Sequence, residues 1–157
     1  MTMENKIVDF LRESNKTISF AESCTGGSLS KRIVLIPGAS KVFKGSIVSY
    51  SNNSKINILN IKNEDLKKYS AVSEKVAKEM ARNAMKIFNS DYSISTTGNA
   101  GPTVSDNLSK IGDCFISIAS KEIVVCKKIM IDCDRESFIA KITEESLKFF
   151  INTIIKN

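Results

Sequence analysis

The amino-acid sequence predicts an α/β fold, a three-layer αβα sandwich built on a mixed sheet. Three observations carry that prediction. Segments with apolar residues at helical spacing alternate with short runs rich in β-branched residues. Small-residue and Gly-containing clusters follow several of the strand runs. Near the end, two β-branched runs at 113–119 and 122–131 are joined by so short a link that they read as a hairpin. Alternation calls for parallel strands whose crossover helices cover both faces, and the hairpin adds antiparallel pairing, so the sheet is mixed. No repeat, linker or low-complexity stretch interrupts residues 1–157, which read as a single domain.

The elements follow in order. Residues 4–14 place Ile7, Phe10 and Leu11 on one helical face. Residues 17–21 (TISFA) form a strand, the cluster ESCTGG follows, and SLSKRIVLI reads as a helix ended by Pro37-Gly38. Residues 42–50 form a second strand, after which Ser51 caps a helix through Lys55 toward Leu59. Residues 73–89 give the clearest helix, with Ser73 as N-cap, Glu74 in the first turn, and Val76, Met80, Ala84 and Phe88 along one face. Residues 92–96 form a strand that runs into TGNAGP. After the hairpin, Ile139, Ile142, Phe149, Phe150 and Ile154 mark a long packing helix over 135–156.

Composition narrows the chemistry. The chain has no histidine, which removes Ser-His-Asp and Cys-His mechanisms together with the usual zinc ligands. A catalytic base must then be a lysine, a tyrosine or a carboxylate. Cys24, Cys114, Cys126 and Cys133 form no CxxC pair, so neither a metal finger nor a disulfide framework is expected, and packing is their default role. No metal and no cofactor is expected. Net charge is +6, but the lysines are scattered singly without an Arg/Lys block, which argues against a nucleic-acid partner. Apolar runs are strand-sized and the N-terminus lacks the pattern of a secretory signal, so no membrane association is expected and the expected compartment is the cytoplasm.

In open α/β sheets ligands bind beyond the carboxyl ends of the strands. Three segments fall at such ends: 22–27, 50–55 and 97–102. Ser23, Cys24, Thr25, Gly26 and Gly27 lie where backbone N–H groups at a helix start can hold an anion or a developing oxyanion; the plainer reading is a tight connection with Ser23 or Thr25 as N-cap. Cys24 at such a place can be nucleophilic, but without histidine it lacks its usual activator, and Ser23 is the better candidate. Lys55, one turn into its helix, can point back toward the strand end and act as a base once removed from water, with Tyr50 to relay the proton. Alternatively Lys55 is a solvated surface residue and Tyr50 belongs to the core. Thr97 and Gly98 either touch a ligand or turn the chain, and Arg135, after the N-cap Asp134, either grips phosphate or pairs on the surface.

Together, AESCTGG, IPGAS, IVSYSNNSK, AVSEKVAKEMA and TTGNAGP resemble, in order and spacing, the C-terminal domain of the CinA (competence/damage-inducible) family, over nearly the whole chain. The resemblance implies a nicotinamide-nucleotide amidase that hydrolyses nicotinamide mononucleotide to nicotinate mononucleotide and ammonia. It implies Ser23 as nucleophile, Tyr50 and Lys55 as its activating partners, Thr97 as a substrate contact, and Arg135 against the nucleotide. It also implies a homo-oligomer, a dimer or higher. The expectation is that the molybdopterin-binding-like domain of longer members is absent, along with any pyrophosphatase activity attached to it. One departure stands out. Where the family continues with a glycine-rich loop ending in Lys-Pro-x-Gly, this chain has TVSDNLSKIG over 103–112, and Asn99 stands where an apolar residue is common. Glycines permit backbone conformations that other residues resist, so a nucleotide-binding module that has lost turnover is the alternative to the amidase.

Overall fold

The computed structural model describes residues 1–156. In order along the chain are α1 (Met3–Glu13), β1 (Ile18–Glu22), α2 (Ser28–Val34), β2 (Phe43–Val48), α3 (Asn52–Asn57), α4 (Asn63–Tyr69), α5 (Glu74–Phe88), β3 (Tyr92–Gly98), β4 (Asp113–Ser120), β5 (Val124–Met130) and α6 (Arg135–Phe150). The sheet order is β2-β1-β3-β4-β5, with β1 parallel to both β2 and β3 and the remaining pairs antiparallel. The predicted three-layer architecture with a mixed sheet is therefore observed. Several bounds differ. The helix expected over 28–36 ends at Val34, two residues short and before Pro37 enters, and α4 was not expected because its seven residues hold a single buried apolar anchor, Leu66. The long terminal helix widens into a π-helical turn at Ile151–Ile155.

The two faces of the sheet differ in side-chain size. Ile18, Phe20, Ile94, Ile116 and Ile118 pack with Ile7, Leu11, Leu29, Ile33, Phe138, Ile142 and Phe150 in one core beneath α1, α2 and α6. The opposite face carries Ser19, Ala21, Ser93 and Ser95, small residues that let α5 approach closely. Close approach places the Ala77 carbonyl 2.6 Å from the Ser95 hydroxyl, which donates to it. Val76, Met80 and Ala84 of α5 then close a second core with Leu59, Ile61 and Leu66. Gly45 belongs to this packing as well, since a Cβ there would lie 2.5 Å from the Phe88 ring.

β1 lies between β2 and β3, so the chain leaves β1 toward one side of the sheet and later returns on the other. That reversal opens a crevice at the carboxyl ends of β1 and β3. Glu22, the last residue of β1, shares a face with Ile18 and Phe20 but is fully buried. Its carboxylate accepts from the N–H groups of Leu29 (2.9 Å) and Ser30 (3.1 Å), from the Thr25 hydroxyl (2.7 Å), and from the hydroxyls of Ser30 and Ser46. A carboxylate from the preceding strand thus caps α2, filling the role expected of Ser23 or Thr25 and opposing the positive end of the helix. Replacing it by glutamine removes the charge and turns an NH2 group toward donors. Glu22→Gln is expected to lower unfolding free energy by about 3 kcal/mol in denaturant titration; a loss below the error of the measurement would show that the carboxylate does not hold α2.

Candidate active site

The crevice is a cavity of about 260 Å³ whose walls include Ser23, Cys24, Tyr50, Asn52, Lys55, Ala71, Thr97, Gly98, Asn99, Thr103 and Arg135. Three of the expected segments supply its floor: the turn after β1, the start of α3, and the end of β3. The Ser23 N–H donates to the Thr96 carbonyl at 3.0 Å, which carries the β1–β3 ladder one residue beyond the strand and fixes where the Ser23 side chain emerges.

Lys55 reaches that side chain from α3. Ser51 caps α3 through its hydroxyl and Ser54 reaches back to the Ser51 N–H, a reciprocal arrangement that stiffens a helix of only six residues. The Lys55 amine donates to Ser23 Oγ at 2.9 Å and to the Ser49 carbonyl at 2.7 Å, with the residue only 2% exposed. It has no carboxylate partner among these contacts. Burial accordingly lowers its pKa from 10.5 to about 8, with a nearby Cys24 charge acting in the opposite direction. The surface-residue alternative for Lys55 is thereby overturned.

Tyr50 is placed differently from both expectations. It is 60% exposed, not core, and its hydroxyl accepts from Arg135 at the cavity mouth. Among the described residues it makes no hydrogen bond to Ser23 or Lys55. Arg135 also donates to the Gly101 carbonyl at 2.7 Å, so one guanidinium ties the end of β2 to the loop after β3. A guanidinium carries five donors in all, which leaves others for an anion.

Thr97 spends its hydroxyl proton on the Ala71 carbonyl at 2.8 Å, which holds the 71–72 wall against β3. Gly98 is needed for space, because a Cβ there would lie 2.9 Å from the Asp113 carbonyl. Thr25, Gly26 and Gly27 stay outside the cavity walls. The Thr25 hydroxyl faces inward to Glu22 and Thr96, and the Gly26 N–H donates to the Ser23 carbonyl at 3.1 Å. Both glycines have positive φ, 57° and 98°, and they shape the turn. Among the described residues the N–H groups of Cys24, Thr25 and Gly27 donate to no backbone acceptor, and of these three residues Cys24 alone lines the cavity.

The loop that lacks glycines is held by side chains instead. Asn99 donates from its amide to Ser109 Oγ (2.7 Å) and to the Lys110 carbonyl (3.1 Å). Asp106 accepts from the N–H groups of Leu108 (2.9 Å) and Ser109 (3.2 Å) and from the Ser70 hydroxyl, next to the Ala71 wall. These hydrogen bonds outweigh desolvation and lower the Asp106 pKa. The loop is thus a polar staple between two walls of the cavity. Sequence reading missed Asp106 and Ser70, although an Asp-x-x-Ser spacing in a breaker-rich loop is the signal of such a local turn.

The family model of the CinA C-terminal domain matches residues 1–154. The chain belongs to that family. A CinA-like protein of Flavobacterium psychrophilum is 40% identical over 156 residues, 99% of this chain and 37% of its own length. Another, of Petrotoga mobilis, is 43% identical over 142 residues, covering 90% of this chain and 35% of its own. The chain therefore spans a little over a third of the length of these relatives. Among solved structures, a CinA superfamily protein of Escherichia coli superposes with TM-score 0.94 at 27% identity, over 97% of this chain and 88% of that one. The competence damage-inducible protein A of Klebsiella pneumoniae does so with TM-score 0.94 at 23% identity, over 98% and 96%, which speaks to the fold alone. Among the described residues of this CinA domain, no group of three or more His, Cys, Asp or Glu is placed to hold a metal, and no helix is long and apolar enough to cross a membrane.

Two outcomes follow from this geometry. Between pH 8 and 10.5 the unfolded chain keeps a proton on Lys55 that the folded chain has released, so this group makes stability rise with pH across that window. The wild-type minus Lys55→Met difference in unfolding free energy should therefore climb by on the order of 3 kcal/mol across it; a flat difference would mean that the amine titrates normally in the fold. Asp106→Ala should accelerate amide hydrogen exchange at 106–110 and lower stability by about 1–2 kcal/mol, with exchange in β1 unchanged.

Proposed function

We propose that this domain hydrolyses the carboxamide of nicotinamide mononucleotide, releasing ammonia and nicotinate mononucleotide, with Ser23 as nucleophile and Lys55 as base. One observation carries the reading: a buried amine with a pKa lowered to about 8 lies 2.9 Å from a serine hydroxyl on the wall of a cavity, in a chain without histidine. A base near the working pH, within hydrogen-bond reach of the nucleophile, is what general-base activation requires. Membership of the CinA C-terminal family and the match of AESCTGG and TTGNAGP to that family's pattern support the same substrate.

The neutral amine of Lys55 takes the Ser23 proton as Oγ attacks the carboxamide carbon. The N–H of Cys24, on the cavity wall, meets the oxyanion in a turn whose backbone is already set and needs no reorganisation. Lys55 returns the proton to the departing nitrogen, and ammonia leaves. A water that gives its proton to Lys55 then hydrolyses the acyl-serine. Arg135 offers its remaining donors to the phosphate at the mouth. Tyr50 fixes the Arg135 guanidinium and closes the side of the cavity, a different part from the proton relay the family resemblance implies.

Ammonia release from nicotinamide mononucleotide is expected for the parent protein, with a fall of about a thousandfold or more in Ser23→Ala and Lys55→Ala. Nucleotide binding that survives in the parent without any ammonia would replace the amidase by the binding module. Because Lys55 must be neutral, kcat/KM should rise with pH and level off above about 8; at pH 7 roughly a tenth of the amine is in the active form. A profile flat from pH 6 to 9 would remove Lys55 from the role of base.

A further inference from the structure

The fold brings two thiols into contact beneath the cavity. Cys24 follows Ser23 and lines the cavity wall, while Cys114 on β4 is fully buried, and their sulfurs lie 4.0 Å apart. Both belong to the core under α1, α2 and α6, so the rest of the chain is packed around them. Gly98 stands opposite Cys114 in the β3–β4 register, and a Cβ there would lie 3.1 Å from the Cys114 sulfur. The missing side chain leaves the sulfur its room next to the cavity wall. The Cys114 thiol is pushed well up by burial and by contact with Cys24, so it waits as a thiol for a partner that comes to it. Hydrolysis of an amide uses neither sulfur.

We propose that Cys24 and Cys114 form an oxidation site, in which a hydroperoxide entering the cavity converts the two thiols to a disulfide and silences the neighbouring serine. The Cys24 thiolate attacks the O–O bond and its sulfur takes one oxygen as a sulfenic acid; the other oxygen leaves with a proton as water or alcohol. The Cys114 sulfur then attacks the sulfenic sulfur, the S–O bond breaks, and that oxygen departs as water with the Cys114 proton. Two thiols give up two electrons, and the hydroperoxide receives them. Contraction of the 4.0 Å contact to a bond of about 2.0 Å displaces Cys24, whose N–H is the oxyanion donor on the cavity wall, and drags Ser23 with it. Formation of the bond stands on the sulfur geometry alone, whereas silencing rests on the amidase reading.

The test uses the full chain carrying Cys126→Ser and Cys133→Ser, treated with hydrogen peroxide. Intact mass should fall by two hydrogens, and peptide mapping without reductant should join the Cys24 and Cys114 peptides, both reversed by dithiothreitol. In the same background Cys114→Ser should form no cross-link and should leave Cys24 as a sulfenic acid that dimedone traps; Cys114→Ala serves equally if the serine variant folds poorly. Peroxide that leaves both residues as thiols, or drives Cys24 to sulfinic acid without any cross-link, overturns the oxidation site. Oxidation should lower ammonia release by about a hundredfold, the scale of a misplaced reacting group, and dithiothreitol should restore it. An equal loss in peroxide-treated Cys114→Ser would overturn silencing by the disulfide. A parent that cross-links yet never releases ammonia overturns the amidase and the silencing together, and leaves the oxidation site standing.

Discussion

A lysine amine removed from water and given no carboxylate is the constraint on which the site depends. Lys55 rests against one main-chain carbonyl and one serine hydroxyl, and an ammonium with only those partners is poorly compensated for its lost hydration. Burial responds by lowering its pKa and enlarging the share of the neutral form, which is the form able to take a proton. Such a residue has to be held in place by structure that is stable for other reasons. α3 is far too short to be helical alone, so its capping box, the Ile61 N–H donated to the Lys55 carbonyl and the Asn83 amide donated to the Leu59 carbonyl moor it to the rest of the fold.

A second buried charge, at the end of the same strand that presents Ser23, is treated in the opposite way. Glu22 is surrounded by donors from α2, from the turn and from β2, and stays with the fold as an anchor. Ser23 is its neighbour in sequence. The contrast explains how one strand end can be rigid and reactive at once: the carboxylate fixes the turn that bears Ser23, Cys24 and Thr25, and the under-compensated amine faces the hydroxyl that the turn presents. The Glu22 carboxylate is fully partnered and the Lys55 amine is not, so the local penalty falls on the amine.

Another substitution of means occurs on the far wall. Where backbone freedom from glycines is lacking, Asn99, Asp106, Ser109 and Ser70 tie the 103–110 segment down with side-chain hydrogen bonds. That arrangement exchanges flexibility for a preset wall, so less ordering remains to be done when a ligand enters.

The sequence by itself determined a good deal: the mixed sheet, the helical face of α5, the strand ends as the place of the cavity, and, through the absence of histidine, that any catalytic base would have to be a lysine, a tyrosine or a carboxylate. These are local properties, since a helical or strand period and the small residues of a turn are written within a dozen positions. What Lys55 would do was not legible there, because a lysine on a short polar helix looks the same whether it faces water or a cavity. Tyr50 illustrates the same limit, being turned outward to Arg135, eighty-five positions away. The cap of α2 by Glu22, the meeting of Lys55 with Ser23 and the 4.0 Å approach of Cys24 to Cys114 join residues that only the order of strands brings together. Burial, and with it the pKa of an amine or a thiol, is set by neighbours distant in sequence, and so the tertiary structure alone decided which polar residues were buried against one another.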